Sequence, residues 1–383
     1  MNIFVSCGEV SGDIYAGDFV REALKISPDA KIWGMLGPKA ESAGGIAKWS
    51  YEELKLMGIV EVLPALPRLF KLKSVITREI INTNPDAVVL IDSPDFHLML
   101  AHSLRKSGYS GKIVSLIPPT VWAWRAGRVK NLKRDYDFCL PLLSFEHKFL
   151  LEHGVKSLWK SHPLVHELEN VRVSDEFRER FGNVSDSLFR ERFGNGRIIA
   201  LMPGSRRYDI DYHLDILLGT AKILREKNYL PVFSVAPGLT GEVADVLRER
   251  VRFAGFDLWE GEGRELMLGA CAVAGVSGTV AVEAMLLGRY MVVIYNMKKI
   301  THMILKCLVR VKNISIPNML TSRQVYPELL CEAANPENIV QELERYLDDE
   351  KARHEIDSAL RETKNSMGTE HAAKFWAECV IYS

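Results

Sequence analysis

Net charge, paired cysteines and long hydrophobic runs are what this 383-residue sequence lacks. Its 49 basic and 49 acidic side chains cancel to a formal charge of zero. No global field therefore draws it to a polyanion, and nucleic acid is not an expected partner. Six cysteines stand at positions 7, 139, 271, 307, 331 and 379, with no CxxC spacing. That scatter argues against a zinc knuckle or a redox dithiol and fits a reducing compartment. The longest uncharged run, Leu266–Val282, has 17 residues and is interrupted by Gly275, Ser277, Gly278 and Thr279. A membrane-spanning helix takes about 20 apolar residues. The opening MNIFVSCGE has neither the charged start nor the apolar core of a signal peptide. The expectation is a cytoplasmic protein whose membrane contact, if any, is peripheral.

What is present is a regular alternation. Short apolar runs (Asn2–Cys7, Lys31–Met35, Ala87–Ile91, Lys112–Leu116, Asp137–Leu142) are separated by longer amphipathic stretches. A second set follows at Arg197–Met202, Leu230–Val235, Cys271–Val276 and Tyr290–Tyr295. Continuous apolar strands between helical patterns predict parallel sheets covered on both faces, and two sets predict two doubly wound α/β domains. We divide the chain into a first domain (1–170), a linker (171–197), a second domain (198–348) and C-terminal helices (349–383). The linker is polar and carries a tandem duplication, FRERFGN at Phe177–Asn183 and again at Phe189–Asn195. Two copies are too few for a solenoid. The C-terminal helices have no strand after them and must pack on the first domain or on a partner subunit, which allows a homodimer.

Ligands of open α/β sheets bind beyond the carboxyl ends of the strands, so the residues that follow each strand carry the functional reading. After the first strand comes Gly8-Glu9-Val10-Ser11-Gly12-Asp13. The glycines permit a tight turn and Glu9 stands at the strand exit; the alternative is that Ser11 or Asp13 simply caps the next helix. Asp92 and Asp95 in IDSPDF offer a general base, or an Asx turn bent by Pro94. Trp122, Trp124 and Arg125 suit a sugar and a phosphate, or a packed lid. His162 and His166 have a metal-like spacing, but no third ligand is evident and Pro163 starts a helix there, so a hinge or a hydrogen-bonding histidine is the better reading. In the second half, Gly204, Ser205 and Arg206 follow one strand, and Ser277, Gly278 and Thr279 follow another and open a helix. Both turns suit a pyrophosphate. Glu283, one turn into that helix, stands among apolar neighbours and needs a partner; it could take both ribose hydroxyls. Asn318 and Arg323 lie in a polar turn that could reach the cleft or simply be a loop.

Taken together, GEVSGD, LMGIVEVL, IDSPDF, VWAWR, SFE, HPL, PGSR, SGTVAVEA and PNML occur in the order and spacing of the lipid-A-disaccharide synthases, a family this chain resembles from Gly8 to about Leu330. The resemblance implies a GT-B fold of two Rossmann-like domains that face a cleft, with C-terminal helices crossing back. It implies an inverting transfer of a 2,3-diacylglucosamine unit from its UDP-linked form to 2,3-diacylglucosamine 1-phosphate, giving a β(1→6) disaccharide phosphate and UDP. Asp92 and Glu9 would then serve catalysis, with Ser11, Asp95, Trp122, Trp124, Arg125 and His162 on the substrates. Gly204, Ser205, Arg206, Ser277, Gly278, Thr279, Glu283, Asn318 and Arg323 would hold UDP. No cofactor and no metal are expected, since no acidic cluster reads as a magnesium site. Pro118, Ser144, Ser161, His166 and Ser322-Arg323-Gln324 depart from the family's usual residues, which bears on fine substrate contacts. Two rivals share the fold class: a UDP-N-acetylglucosamine 2-epimerase, and a nucleotide-sugar-binding protein without catalysis.

Acylated substrates and an inner-membrane surface go together. In the segment from Met57 to Ile76, apolar Leu66, Leu69, Phe70 and Leu72 alternate with Arg68, Lys71 and Lys73. The expectation is an irregular, exposed element, broken by Pro64 and Pro67, that docks on anionic lipid.

Overall fold

In this computed structural model, residues 1–54, 59–123, 125–181, 197–239, 241–296, 313–321 and 323–382 are described, with the backbone alone over 59–65. Two six-stranded parallel sheets carry the architecture. In the first, β1 (Asn2–Cys7), β2 (Lys31–Leu36), β3 (Ile46–Ser50), β4 (Ala87–Ile91), β5 (Lys112–Leu116) and β6 (Phe138–Leu140) lie in the order β3-β2-β1-β4-β5-β6. In the second, β7 (Ile198–Met202), β8 (Leu230–Ser234), β9 (Asp257–Trp259), β10 (Ala272–Val276), β11 (Met291–Tyr295) and β12 (Glu328–Leu330) lie in the order β12-β11-β10-β7-β8-β9. The two orders are one topology used twice. Each reverses direction once, between β1 and β4 and between β7 and β10, and a sheet of this kind opens its ligand crevice at that reversal. β4, β7 and β10 are buried along their whole length. That is why their sequences are unbroken apolar runs.

The α/β fold expected from the alternation is therefore present. Of the four edge strands only β6 was anticipated: β3 alternates exposed and half-buried residues, and β9 and β12 have three residues each. Too little of each is buried to leave a pattern.

Two units divide the chain: Met1–His166 with Gly368–Ser383, and Glu167–Met367. The C-terminal segment accordingly does not act as one block. Helix Glu350–Asn365 belongs to the second unit, where Tyr346 Oη donates to Asp357 Oδ1 at 2.8 Å. The last helix, Ala372–Tyr382, belongs to the first and packs on α1 (Val10–Ile26). Trp376, Ala373, Ala377 and Val380 share a core with Ala16, Phe19, Val20 and Ala23. The chain returns over Lys160 and Ser161 at Gly368 (φ +79°), where a Cβ would fall 2.1 Å from Lys160 O.

Two sequence expectations need correction. The FRERFGN duplication reads as a helix–turn repeated in a tolerant linker; the first copy is helical up to Phe181, but it is packed into the second unit and not part of an exposed linker. Phe177 and Phe181, on helix Asp175–Phe181, are each 1% exposed and pack against Trp259 with ring centroids 5.0 and 6.0 Å away. The second copy lies outside the described residues. The basic-apolar segment, for its part, is no irregular element but the helix α3 (Ile59–Thr83), which follows α2 (Pro38–Ser42) in the chain. Leu69, Leu72, Ile76 and Ile80 form its buried stripe on the sheet, so Leu69 and Leu72 cannot meet lipid. Burying four such side chains, at about 1.5–3 kcal/mol each, is enough to offset the roughly 3 kcal/mol cost of each of the two interior prolines. Phe70 remains 48% exposed and Leu66 is half-buried.

Candidate functional site

At the first reversal the loops after β1 and β4 touch. A Cβ on Gly8 would fall 1.8 Å from Ser93 Oγ, so glycine is what lets the two loops close. A Cβ on Gly12 would lie 3.5 Å from Asp92 Cβ and 3.7 Å from its Oδ2. The Asp92 carboxylate thus sits against the first turn of α1. Glu9 is the N-cap residue of that helix and, like Ser11, is exposed. Asp13, a candidate cap for α1, turns the other way: its carboxylate accepts from the amides of Gly37, Lys39 and Ala40 at 2.9, 2.9 and 3.2 Å, capping α2.

Asp92 is left-handed (φ +57°), and Ser93 after it is as well (φ +41°). Such residues cost about 1–3 kcal/mol each and persist only where their surroundings fix them, most often at functional sites. Here the surroundings do so. The Asp92 amide donates to Leu116 O at 3.2 Å, and the Ser93 amide donates to Asp92 Oδ1 at 2.7 Å. His97 Nδ1 lies 2.7 Å from the Asp92 carbonyl oxygen. Burial raises the Asp92 pKa, opposed by the hydrogen bond from Ser93. A carboxylate shifted in that direction is a better proton acceptor.

Asp95 opens α4 (Pro94–Lys106) and is exposed; its carboxylate meets Arg125 at 3.1 Å and also Arg128, which sequence reasoning had not singled out. Trp122 donates from Nε1 to Glu146 Oε1 at 2.8 Å and stands edge-on to Phe145. Glu146 is a second omission. Burial pushes its carboxyl up to about 6 against hydrogen bonds from Trp122 and the Leu143 amide. Its place in the SFE motif, in the first turn of the helix Ser144–Glu152 that follows β6, was the signal that could have found it. Trp124 lies outside the described residues. His162 requires correction: it is 4% exposed, its Nδ1 accepts from the Leu164 amide at 3.2 Å, and burial lowers its pKa to about 4. It fixes the start of helix Pro163–Leu168 as a neutral ring. His166 lies instead beside His371, with ring centroids 4.1 Å apart.

The second reversal repeats the plan with different chemistry. After β7, Gly204 (φ +109°) admits Asp209, whose Oδ2 accepts from the Ser205 and Arg206 amides at 3.2 and 3.1 Å. Those amides are therefore taken, and an anion at this turn would meet the exposed side chains of Ser205 and Arg206. After β10 the turn is open. Gly278 (φ +146°) has nothing within 4 Å of a built Cβ, and Gly278 and Thr279 are exposed at the start of helix Thr279–Leu286. Amides at a helix start attract an anion. Ser277 is tied down through its Oγ, 3.4 Å from Ile314 O.

Glu283 has the partner a buried acid requires. Arg264 Nε reaches its Oε1 at 2.8 Å, and Arg264 Nη2 reaches Glu167 at 2.9 Å. Burial raises the Glu283 pKa and Arg264 opposes the shift. Asn318 is corrected as a ligand of UDP. It is 1% exposed, its Oδ1 accepts from the amides of Val325 and Tyr326, and its Nδ2 donates to Tyr326 O and Glu328 Oε1. It braces the turn instead of facing a ligand. Arg323 on that turn is exposed.

The model of the lipid-A-disaccharide synthetase family matches residues 3–379. Proteins named lipid-A-disaccharide synthase resemble the chain along its length. That of Chromohalobacter salexigens is 34% identical, covering 100% of this chain and 98% of its own. That of Geobacter sulfurreducens is 34% identical over 96% and 93%. Among solved structures, a UDP-GlcNAc 2-epimerase from Neisseria meningitidis bound to UDP-GlcNAc superposes with a TM-score of 0.62 at 12% identity, covering all of both chains. A glycosyltransferase from Rickettsia africae superposes with a TM-score of 0.57 at 12% identity, over 100% and 99%. At that identity the two structures establish the shared GT-B fold.

Proposed function

The chain belongs to the lipid-A-disaccharide synthetase family, and we propose that it condenses UDP-2,3-diacylglucosamine with 2,3-diacylglucosamine 1-phosphate into the β(1→6)-linked disaccharide 1-phosphate, releasing UDP. The observation that carries the mechanism is the strained, half-buried Asp92 at the reversal of the first sheet. Its carboxylate takes the proton of the acceptor's 6-hydroxyl as that oxygen attacks the anomeric carbon from the face opposite UDP, inverting the centre. The bond to the UDP oxygen breaks in the same displacement, through an oxocarbenium-like transition state. The departing diphosphate needs positive charge and amide donors. We assign these to Arg206 and to the Gly278–Thr279 helix start, with Ser205 and Arg323 alongside. Exposed Val10 and Ile14, one helical turn apart on α1 beside Glu9, offer an apolar surface to acyl chains. Release of UDP that requires both acylated substrates supports this function; release from the donor alone rejects it.

Glu283 is assigned to the ribose hydroxyls. Glu283→Ala removes a charge-assisted hydrogen bond worth about 1.5–3 kcal/mol, so the Kd for UDP is expected to rise about tenfold or more. Arg264 keeps Glu167, which limits damage to the fold. Titration calorimetry showing unchanged UDP affinity in a folded variant removes Glu283 from the site.

No described helix is long and apolar enough to cross a membrane. Peripheral docking through α3 now rests on its outer face: Phe70, half-buried Leu66, and Arg68, Lys71 and Lys73, with Lys73 Nζ 5.3 Å from the Phe70 ring centre. Cations near anionic lipid add about 1 kcal/mol each. Phe70→Ser is expected to abolish flotation with anionic liposomes at an unchanged melting temperature. Leu69→Ser should instead lose about 2–5 kcal/mol of stability, as a buried leucine does. If Phe70→Ser floats like the wild type, this face does not dock.

A further inference from the structure

His97 has no part in the scheme above, yet its ring is placed on the candidate base. It lies one turn into α4, is 2% exposed, and contacts two groups. Nδ1 is 2.7 Å from the carbonyl oxygen of Asp92, and Nε2 is 2.8 Å from Ser6 Oγ near the carboxyl end of β1. A carbonyl oxygen only accepts, so Nδ1 carries the hydrogen and donates to it. Nε2 is then bare and accepts the hydroxyl hydrogen of Ser6. This fixes one tautomer of a neutral ring, and burial, which lowers the His97 pKa to about 4, keeps it neutral. Tyr136 Oη, 3.1 Å from the His97 carbonyl, holds the backbone of the same turn.

The consequence falls on a residue in the left-handed region, which aspartate tolerates better than most residues but still at a cost that its surroundings must offset. Three hydrogen bonds hold it: Leu116 on its amide, Ser93 on Oδ1, and His97 on its carbonyl. The first two come from the loop's own neighbourhood. The third comes from a side chain anchored in β1, and it links the two strands at the reversal. Among the described residues Oδ2 accepts no hydrogen bond, which leaves it for the acceptor's proton. We infer that His97, backed by Ser6, is a positioning residue that locks the Asp92 backbone so that Oδ2 faces the acceptor hydroxyl. This rests on the reading of Asp92 as the base.

The test compares kcat and both KM values of the full-length protein for Ser6→Ala, His97→Phe, His97→Asn and Asp92→Asn with the two acylated substrates. Misplacing a reacting group by about 1 Å costs on the order of 100-fold. His97→Phe is expected to lose about that much in kcat with KM values within about threefold. His97→Asn keeps an N–H donor near the position of Nδ1 and should recover to within about tenfold of the wild type. Ser6→Ala, which frees the ring to change tautomer, should lose about tenfold. A purely structural role would lower the melting temperature and leave kcat in place. If His97→Phe turns over within twofold of the wild type, or if His97→Asn is no better than His97→Phe, the inference is overturned. Should His97→Phe not fold, an unaltered kcat in Ser6→Ala overturns it. A near-normal Asp92→Asn would instead overturn the base assignment, whatever His97 does.

Discussion

Asp92→Asn is expected to lower turnover by about 10²–10⁴ while leaving UDP affinity and the melting temperature close to wild type, because the amide keeps the shape and removes the basicity. The hydrogen bond from the Ser93 amide to Oδ1 survives the change, since an amide oxygen also accepts. The left-handed turn is therefore retained. The pH profile carries a second signature. Only the ionised carboxylate can take the proton, and burial raises its pKa. In the wild type, kcat should fall on acidification through a pKa above the usual aspartate range, and that limb should be absent from the residual activity of Asp92→Asn. Near-normal turnover in the variant would transfer the role to Glu9 or Asp95.

Trp376→Ala should be the most damaging single change to stability. Trp376 is 2% exposed and among the largest fully buried side chains, and it stands edge-on to Tyr15 of α1 with ring centroids 6.0 Å apart. Truncating such a residue costs about 3–5 kcal/mol. A marginally stable domain has roughly 5–15 kcal/mol in all. The loss should release the last helix from the first unit, so hydrogen exchange should rise along Ala372–Tyr382 and on the facing side of α1. Denaturant unfolding that shifts by less than about 1 kcal/mol would show that the last helix contributes little to the first unit.

The fold was legible wherever a strand is buried on both faces. Asn2–Cys7, Ala87–Ile91 and Lys112–Leu116 were read to the residue, because burial on both faces leaves short, mostly apolar runs that a single serine does not break. The candidate site was legible to the extent that chemistry sits directly after those strands, as Asp92 and Gly278 do. Satisfaction of polar groups was not legible. Whether Asn318 faces a ligand depends on Glu328 and Tyr326, and whether Glu283 is paired depends on Arg264, 19 positions away in the chain. Those contacts follow from the three-dimensional path of loops that carry no periodicity. The same limit explains α3: two prolines argue locally for an irregular element, and a buried stripe of Leu69, Leu72, Ile76 and Ile80 overrides them.

The reaction itself is tested most directly by identifying what the wild-type protein makes from UDP-2,3-diacylglucosamine and 2,3-diacylglucosamine 1-phosphate. Mass spectrometry and proton NMR of the product should show one tetraacyl disaccharide 1-phosphate with a β-anomeric (1→6) linkage, one equivalent of UDP, and no product when either substrate is omitted. An unchanged acceptor alongside a UDP-sugar epimerised at C2, or UDP released without a disaccharide, would contradict it.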